Sequence, residues 1–285
     1  MSFGPNPWLQ TQWDARAATN FMAGGSGSGL VFAGALAQMA GAPSALWGAC
    51  VLLGLALVGA GLTAVWFEIG RPLRAVNVIF NPGSSWMTRE SMVAPLLFAG
   101  AMTLWLSRSV FIAAVLALCA LAFMFAQGRI LRAARGVPAW CDASVPAWMV
   151  ATGLVEGAGL ALAIAALLGQ AANWAGLVVA GMSVARALVW VAYRRRVDGS
   201  TSAGARRALD AIGLRLVLVG TLPPVLLALP GALFDTGSGA TMQAALFASG
   251  ALAWLGGWIA KYGLVCRASY NRGFSLPHLP ARGRR

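Results

Sequence analysis

The stretch Phe67-Glu68-Ile69-Gly70-Arg71-Pro72-Leu73-Arg74, running on to Ser85-Trp86-Met87-Thr88-Arg89-Glu90, holds five charged groups in 24 residues. It lies between two long apolar runs, Leu46–Trp66 and Ser91–Leu106. Charge set this close to membrane-length helices is costly unless it works at a boundary. The stretch therefore predicts a polar, hydrogen-bonding site at the edge of a bilayer.

Working outward, long uncharged runs recur from residue 20 to residue 266, and the chain is 59% hydrophobic with only 10% charged residues. Soluble domains carry about 25% charged residues, so the composition predicts an all-α, polytopic membrane protein. Eight spans are expected: Asn20–Met39, Leu46–Trp66, Thr88–Leu106, Val110–Ala126, Val145–Leu168, Ala171–Val191, Leu209–Leu229 and Ala244–Val265. The longer polar loop after the fourth suggests two four-helix bundles, 20–128 and 145–266. An interfacial segment, 1–19, precedes them, a cytoplasmic loop, 129–144, joins them, and a basic tail, 267–285, follows. No cleavable signal pattern is visible in residues 1–19, so the first run is expected to be a retained helix.

The net charge of +13 is distributed by loop. Loops near 40–45, 107–109, 169–170 and 230–243 contain one arginine, Arg108. The other loops and the tail carry most of the rest, among them Arg71, Arg74, Arg129, Arg132, Arg135, Arg194, Arg195, Arg196, Arg267 and Arg272. This bias predicts cytoplasmic N and C termini and explains the basic charge through topology and anionic lipid rather than nucleic acid.

Cys50, Cys119, Cys141 and Cys266 are scattered, and the single histidine, His278, lies in the tail. That leaves no C-x-x-C pair for a metal or iron–sulfur site and no imidazole pair for a membrane haem. Glu156, Arg186, Arg215 and Lys261 fall within predicted spans, in the inner half or at the midplane at about 1.5 Å per residue. A lone carboxylate there is expensive, so Glu156 is expected to be protonated or paired with Arg186, Arg215 or Lys261. Those four groups are either a structural pairing or a candidate proton path. Pro95 and Pro223-Pro224 are expected to interrupt the third and seventh spans. Gly24-Gly25-Ser26-Gly27-Ser28-Gly29 lets another helix, or a flat ligand, approach the first helix closely. Trp8, Trp13, Trp66, Trp86, Trp140 and Trp258 read mostly as interfacial anchors.

This organisation resembles the membrane-anchor subunits of molybdopterin oxidoreductases, the dimethyl sulfoxide reductase anchor (DmsC) and NrfD/polysulfide reductase types. The likeness rests on Asn20–Gly25, the loop Ile69-Gly70-Arg71-Pro72-Leu73-Arg74-Ala75-Val76-Asn77, Ser84–Glu90, Gly136-Val137-Pro138-Ala139-Trp140 and Lys261-Tyr262. It implies a subunit that is not catalytic by itself and sits in the bacterial inner membrane. Such a subunit passes electrons between a ferredoxin-like iron–sulfur subunit and ubiquinone or menaquinone. Molybdopterin and iron–sulfur clusters would then belong to partner subunits, here on the cytoplasmic face, as in phenylacetyl-CoA:acceptor oxidoreductase.

The resemblance also assigns residues. Glu90 is the leading proton group, with the helix N-terminus as its plainer reading. Glu68 is a second relay or an ion-pair partner of Arg71 or Arg74. Asn20 contacts quinone or caps a helix. Gly24, Arg71, Arg74, Asn77, Trp86 and Arg89 complete the expected quinone set, although positive-inside topology also accounts for arginines there. The family often has a histidine near Asn20 and a tyrosine late in the fourth helix; here the first is missing and Leu131 stands at the second. Rival readings are a secondary transporter, which needs a midplane site at broken helices in matching repeats, and a passive anchor without a quinone site.

Overall fold

The computed structural model describes residues 6–68, 80–233 and 239–273. Arg71, Arg74, Asn77 and His278 lie outside these segments. The described residues are helical apart from turns and one bridge, Leu9 to Tyr270. Seven helices among them are long and apolar enough to cross a membrane: Ser44–Glu68, Trp86–Ser107, Val110–Ala133, Val145–Leu167, Asn173–Ser200, Ala203–Gly231 and Ala240–Arg267. Large apolar side chains such as Phe111, Leu118 and Leu188 stand exposed along them. In water such faces invite aggregation; here they are surfaces for lipid, and the protein is a multi-pass membrane protein.

The first expected span has a different build. Helix α1 (Ala15–Thr19) runs into a π-helical turn (Asn20–Gly24) and then α2 (Gly25–Met39). Helix α2 is wedged between α3 (Ser44–Trp66) and α7 (Val145–Leu167). Its glycines explain the closeness. A Cβ on Gly27 would meet Val58 N at 2.7 Å, and one on Gly29 would strike the Gly153 carbonyl and Gly157. Only small residues let backbones meet this way, so most of the glycine run serves helix packing.

Helix α4 (Trp86–Ser107) starts where Ser85 Oγ accepts from Thr88 N at 3.3 Å, and it runs unbroken through Pro95. The expected interruption there is absent. One proline forfeits one intrahelical bond, and Pro95 is exposed on the helix surface. Helix α5 (Val110–Ala133) extends a further two turns past the predicted end at Ala126. A short turn, α6 (Pro138–Cys141), precedes α7, and α8 (Asn173–Val197) follows it. The seventh span does break, into α9 (Ala203–Gly220) and α10 (Leu222–Leu233), before α11 (Ala240–Tyr262). Pro224 has no N–H for the Gly220 carbonyl. Arg186, fully buried, supplies it: Nη2 donates to Gly220 O at 2.5 Å and Nη1 to Ala253 O at 2.9 Å.

Residues 8–10 meet residues 269–271. Gln10 N donates to Ser269 O and Asn271 N to Trp8 O, both at 3.0 Å. Gln10 Nε2 adds bonds to Trp13 O and Ser269 Oγ. Trp140, expected at the membrane surface, is buried instead, and its indole N–H donates to Leu264 O at 3.0 Å.

Candidate functional site

The π turn at Asn20–Gly24 is the local irregularity that builds the site. π bulges are rare in helices and shift side chains from the α-helical register. Asn20 Nδ2 donates to Glu90 Oε1 at 3.2 Å, and Gln127 Nε2 donates to the same oxygen at 3.1 Å and to Asn20 O at 2.9 Å. All three side chains are buried. The first turn of α4, the last two turns of α5 and the π turn thus converge on one carboxyl, which neutral amides hold. Asn20 Oδ1 and Gln127 Oε1 are buried without a hydrogen-bond partner among the described residues.

Beside this carboxyl lies a cavity of about 400 Å³. Its walls are Trp13, Ala17, Asn20 and Phe21 from the first segment, Leu62, Val65, Trp66 and Glu68 from the end of α3, and Met87, Glu90, Ser91 and Ile130. Most of that lining is apolar and partly aromatic, with two carboxyls and one amide set into it. Trp13, expected as a surface anchor, stacks on Phe21 and Trp140 at 5.8 and 5.0 Å between ring centres. Asp14 caps α1 by accepting from Arg16 N at 2.7 Å. The hydrogen bonds from Arg16 hold the Asp14 carboxyl below its ordinary range, and Arg16 also donates to Phe67 O at the end of α3.

The structure brings together Glu90, Asn20 and Glu68 of the expected set, and separates others from them. Arg89 turns away from its neighbour Glu90: Nε and Nη2 donate to Pro82 O and Gly83 O, and its guanidinium lies 4.1 Å from the Trp86 ring centre. Arg129 stacks on the same ring at 4.4 Å. Trp86 therefore belongs to a second, basic cavity of about 660 Å³, which Arg129, Arg132, Arg135 and Arg272 line. Gly24 does not line the cavity at Glu90. It faces Gln127, whose Nε2 would lie 2.5 Å from a Cβ there, so its missing side chain makes room for the amide. Gln127 is the residue that sequence reasoning passed over; the predicted span stopped one residue short of it. Leu131, at the position where the resemblance would put a tyrosine, is fully buried and apolar.

The intramembrane charges also sort themselves. Lys261 Nζ donates to Glu156 Oε2 at 2.6 Å, with both side chains fully buried. Ser26 Oγ donates to the same oxygen at 2.8 Å and accepts from Trp258 Nε1 at 2.7 Å and Trp254 Nε1 at 3.2 Å. Gly25 separates this cluster from the first: a Cβ on it would strike Lys261 Nζ and come within 3.3 Å of Gln127 Oε1. Lys261, of the three expected candidates, is thus the partner of Glu156. Arg186 is occupied by carbonyls, and Arg215 is exposed, outside the cluster.

No curated protein matches the chain. The family model described as DMSO reductase anchor subunit (DmsC) matches residues 27–198. That range runs from α2 through the end of α8 and includes Glu90, Gln127, Glu156 and Arg186, while Asn20 and Lys261 lie outside it. A match over more than half of the sequence, on a fold of membrane-length helices, places the chain in the DMSO reductase anchor subunit (DmsC) family.

Proposed function

We propose that this anchor binds a membrane quinone in the cavity beside Glu90 and exchanges electrons between that quinone and a partner iron–sulfur subunit. The observation that carries the reading is a buried carboxyl, held by two neutral amides, in the wall of a mostly apolar cavity of about 400 Å³. The residues fit such a ligand. Trp13, Phe21 and Trp66 give the cavity aromatic walls for a flat ring, and the buried Asn20 Oδ1 is an acceptor without a partner among the described residues, free for a quinol hydroxyl.

A bound quinone supplies two-electron, two-proton chemistry. The chain's part is to place it and to manage protons. Asn20 orients the head group. Gln127 fixes the Glu90 carboxyl, so that its second oxygen is left for proton exchange. Glu68, half-buried in the same cavity wall, links the cavity to solvent. General acid–base groups in such positions contribute about 10²–10⁴-fold to rate.

Residues 8–10 pair with 269–271. This pairing of the segment before the first span with the segment after the last supports an even number of crossings, hence eight spans with the π-bearing first segment as one of them. The extensive packing of α2 and α5 on α7 is compatible with two four-helix groups meeting there. Arginine bias orients the termini, the Glu90 cavity and the basic cavity toward the cytoplasm of a bacterial inner membrane. The basic cavity then suits the acidic surface of an iron–sulfur subunit, with a molybdopterin catalytic subunit beyond it. A cytoplasm-facing enzyme of the phenylacetyl-CoA:acceptor oxidoreductase kind is one such complex. The transporter reading is less favoured because the Glu156–Lys261 pair and Arg186 are sealed at 0% exposure.

The test is Glu90→Gln in the assembled complex. Quinone-dependent turnover is expected to fall at least about a hundredfold, while the complex still assembles at the membrane. Unchanged turnover would instead favour a passive anchor.

A further inference from the structure

The groove between α9 and α11 carries charge where a lipid-facing surface ordinarily has none. Arg215 lies well inside α9, on an exposed face it shares with Leu214 and Leu218. Arg267 lines the same groove from the π turn after α11, with its guanidinium 6.0 Å from the Tyr262 ring centre. Between them is a cavity of about 560 Å³, walled by Ile212, Leu255, Trp258 and Ile259.

An exposed guanidinium at that depth needs a counter-ion or must reach for the interface. Among the described residues no acid provides the ion. Seven of the chain's eight acids are in described segments; there Asp14 pairs with Arg16, Asp142 with Arg196, Asp198 and Asp210 with Arg194, and Glu156 with Lys261. Glu90 is held by amides and Glu68 lines the other cavity, while Asp235 lies outside the described residues. Neither Arg215 nor Arg267 forms an ion pair among the described residues.

We infer that this groove is a binding site for an anionic phospholipid, with Arg215 and Arg267 on the phosphodiester and an acyl chain along Ile212, Leu255 and Ile259. Basic pockets between spanning helices on the cytoplasmic side recognise such head groups. The occupant is a lipid rather than a protein because Arg215 shares its exposed face with Leu214 and Leu218 within a helix of membrane-spanning length. The lipid covers Trp258, whose N–H donates to Ser26 beside the buried Glu156. This site is independent of the quinone reading.

The experiment is native mass spectrometry of the full chain in mild detergent, with phosphatidylglycerol or phosphatidylcholine added at equal concentration. The wild type should retain one phosphatidylglycerol with at least tenfold preference, and the R215Q/R267Q double variant should lose that preference. An R132Q/R135Q variant, altered in the other basic cavity, should keep it. As a second readout, wild type in phosphatidylglycerol nanodiscs should melt above wild type in phosphatidylcholine, with the gap closed in the double variant. Equal retention of both lipids, or full preference in R215Q/R267Q, overturns the site. Displacement of the lipid by millimolar inorganic phosphate alone would mean a free-anion site and also overturns it.

Discussion

Two carboxyls, Glu90 and Glu156, are buried within the same helical assembly, and their surroundings differ in kind. Glu156 meets a lysine at 2.6 Å and a hydroxyl at 2.8 Å, with two indole N–H groups closing over that hydroxyl. Both members of the ion pair are at 0% exposure. Among the described residues Glu90 meets only neutral amides, and it forms part of a cavity wall. A paired and sealed charge holds helices together; a carboxyl held by amides beside open space can change its protonation without leaving a counter-charge stranded. On the proposed function, Glu156 has a structural role and Glu90 a chemical one.

The largest expected effect lies on the structural side. Glu156→Gln or Lys261→Met alone leaves one buried charge without its partner, at a cost of about 3–5 kcal/mol, read as loss of folded protein in detergent melts. The double substitution should regain most of that stability. Single variants that melt like wild type would break the contrast between the two carboxyls.

Backbone contact comes next. Gly29→Ala puts a methyl into the Gly153 carbonyl and should cost about 1–3 kcal/mol, as overpacking generally does. Gly181→Ala, with nothing within 4 Å of its Cβ position, should be neutral or slightly stabilising in the same melt. Equal behaviour at the two positions would show that α2 is not held where its glycines place it.

The smaller effect sharpens the chemical side. Gln127→Leu keeps the bulk but removes one of the two amide donors to Glu90, a hydrogen bond worth about 0.5–1.5 kcal/mol net. Quinone-dependent turnover should drop by up to roughly tenfold, with melting changed less than in Glu156→Gln. A variant as fast as wild type would remove Gln127 from the site.

Much of this contrast is legible in the amino-acid order, and the missing parts have identifiable causes. Arginine distribution and uncharged runs give the membrane class and most helix positions, because lipid tolerates few alternatives. Glu90 and Asn20 are legible through family likeness. Gln127 is hidden because hydropathy ends a span at the first polar residue, while backbone hydrogen bonding carries α5 on to Ala133. The π turn leaves no mark in composition, so the register that turns Asn20 toward Glu90 is visible only in three dimensions. Pro95 misleads in the opposite sense, since one exposed proline leaves α4 whole, whereas the Pro223-Pro224 pair breaks the seventh span. The Glu156 partner is ambiguous in one dimension because Lys261 and Arg186 both reach the buried interior; the freed Gly220 carbonyl engages the arginine.

The most direct test of the central assignment is photolabelling of the intact complex with a photoreactive quinone analogue, followed by peptide mapping. The account predicts label on Trp13–Phe21, Leu62–Trp66 and Met87, reduced by excess native quinone and weakened in Glu90→Gln. Label confined to other helices, or no competition by native quinone, would contradict it.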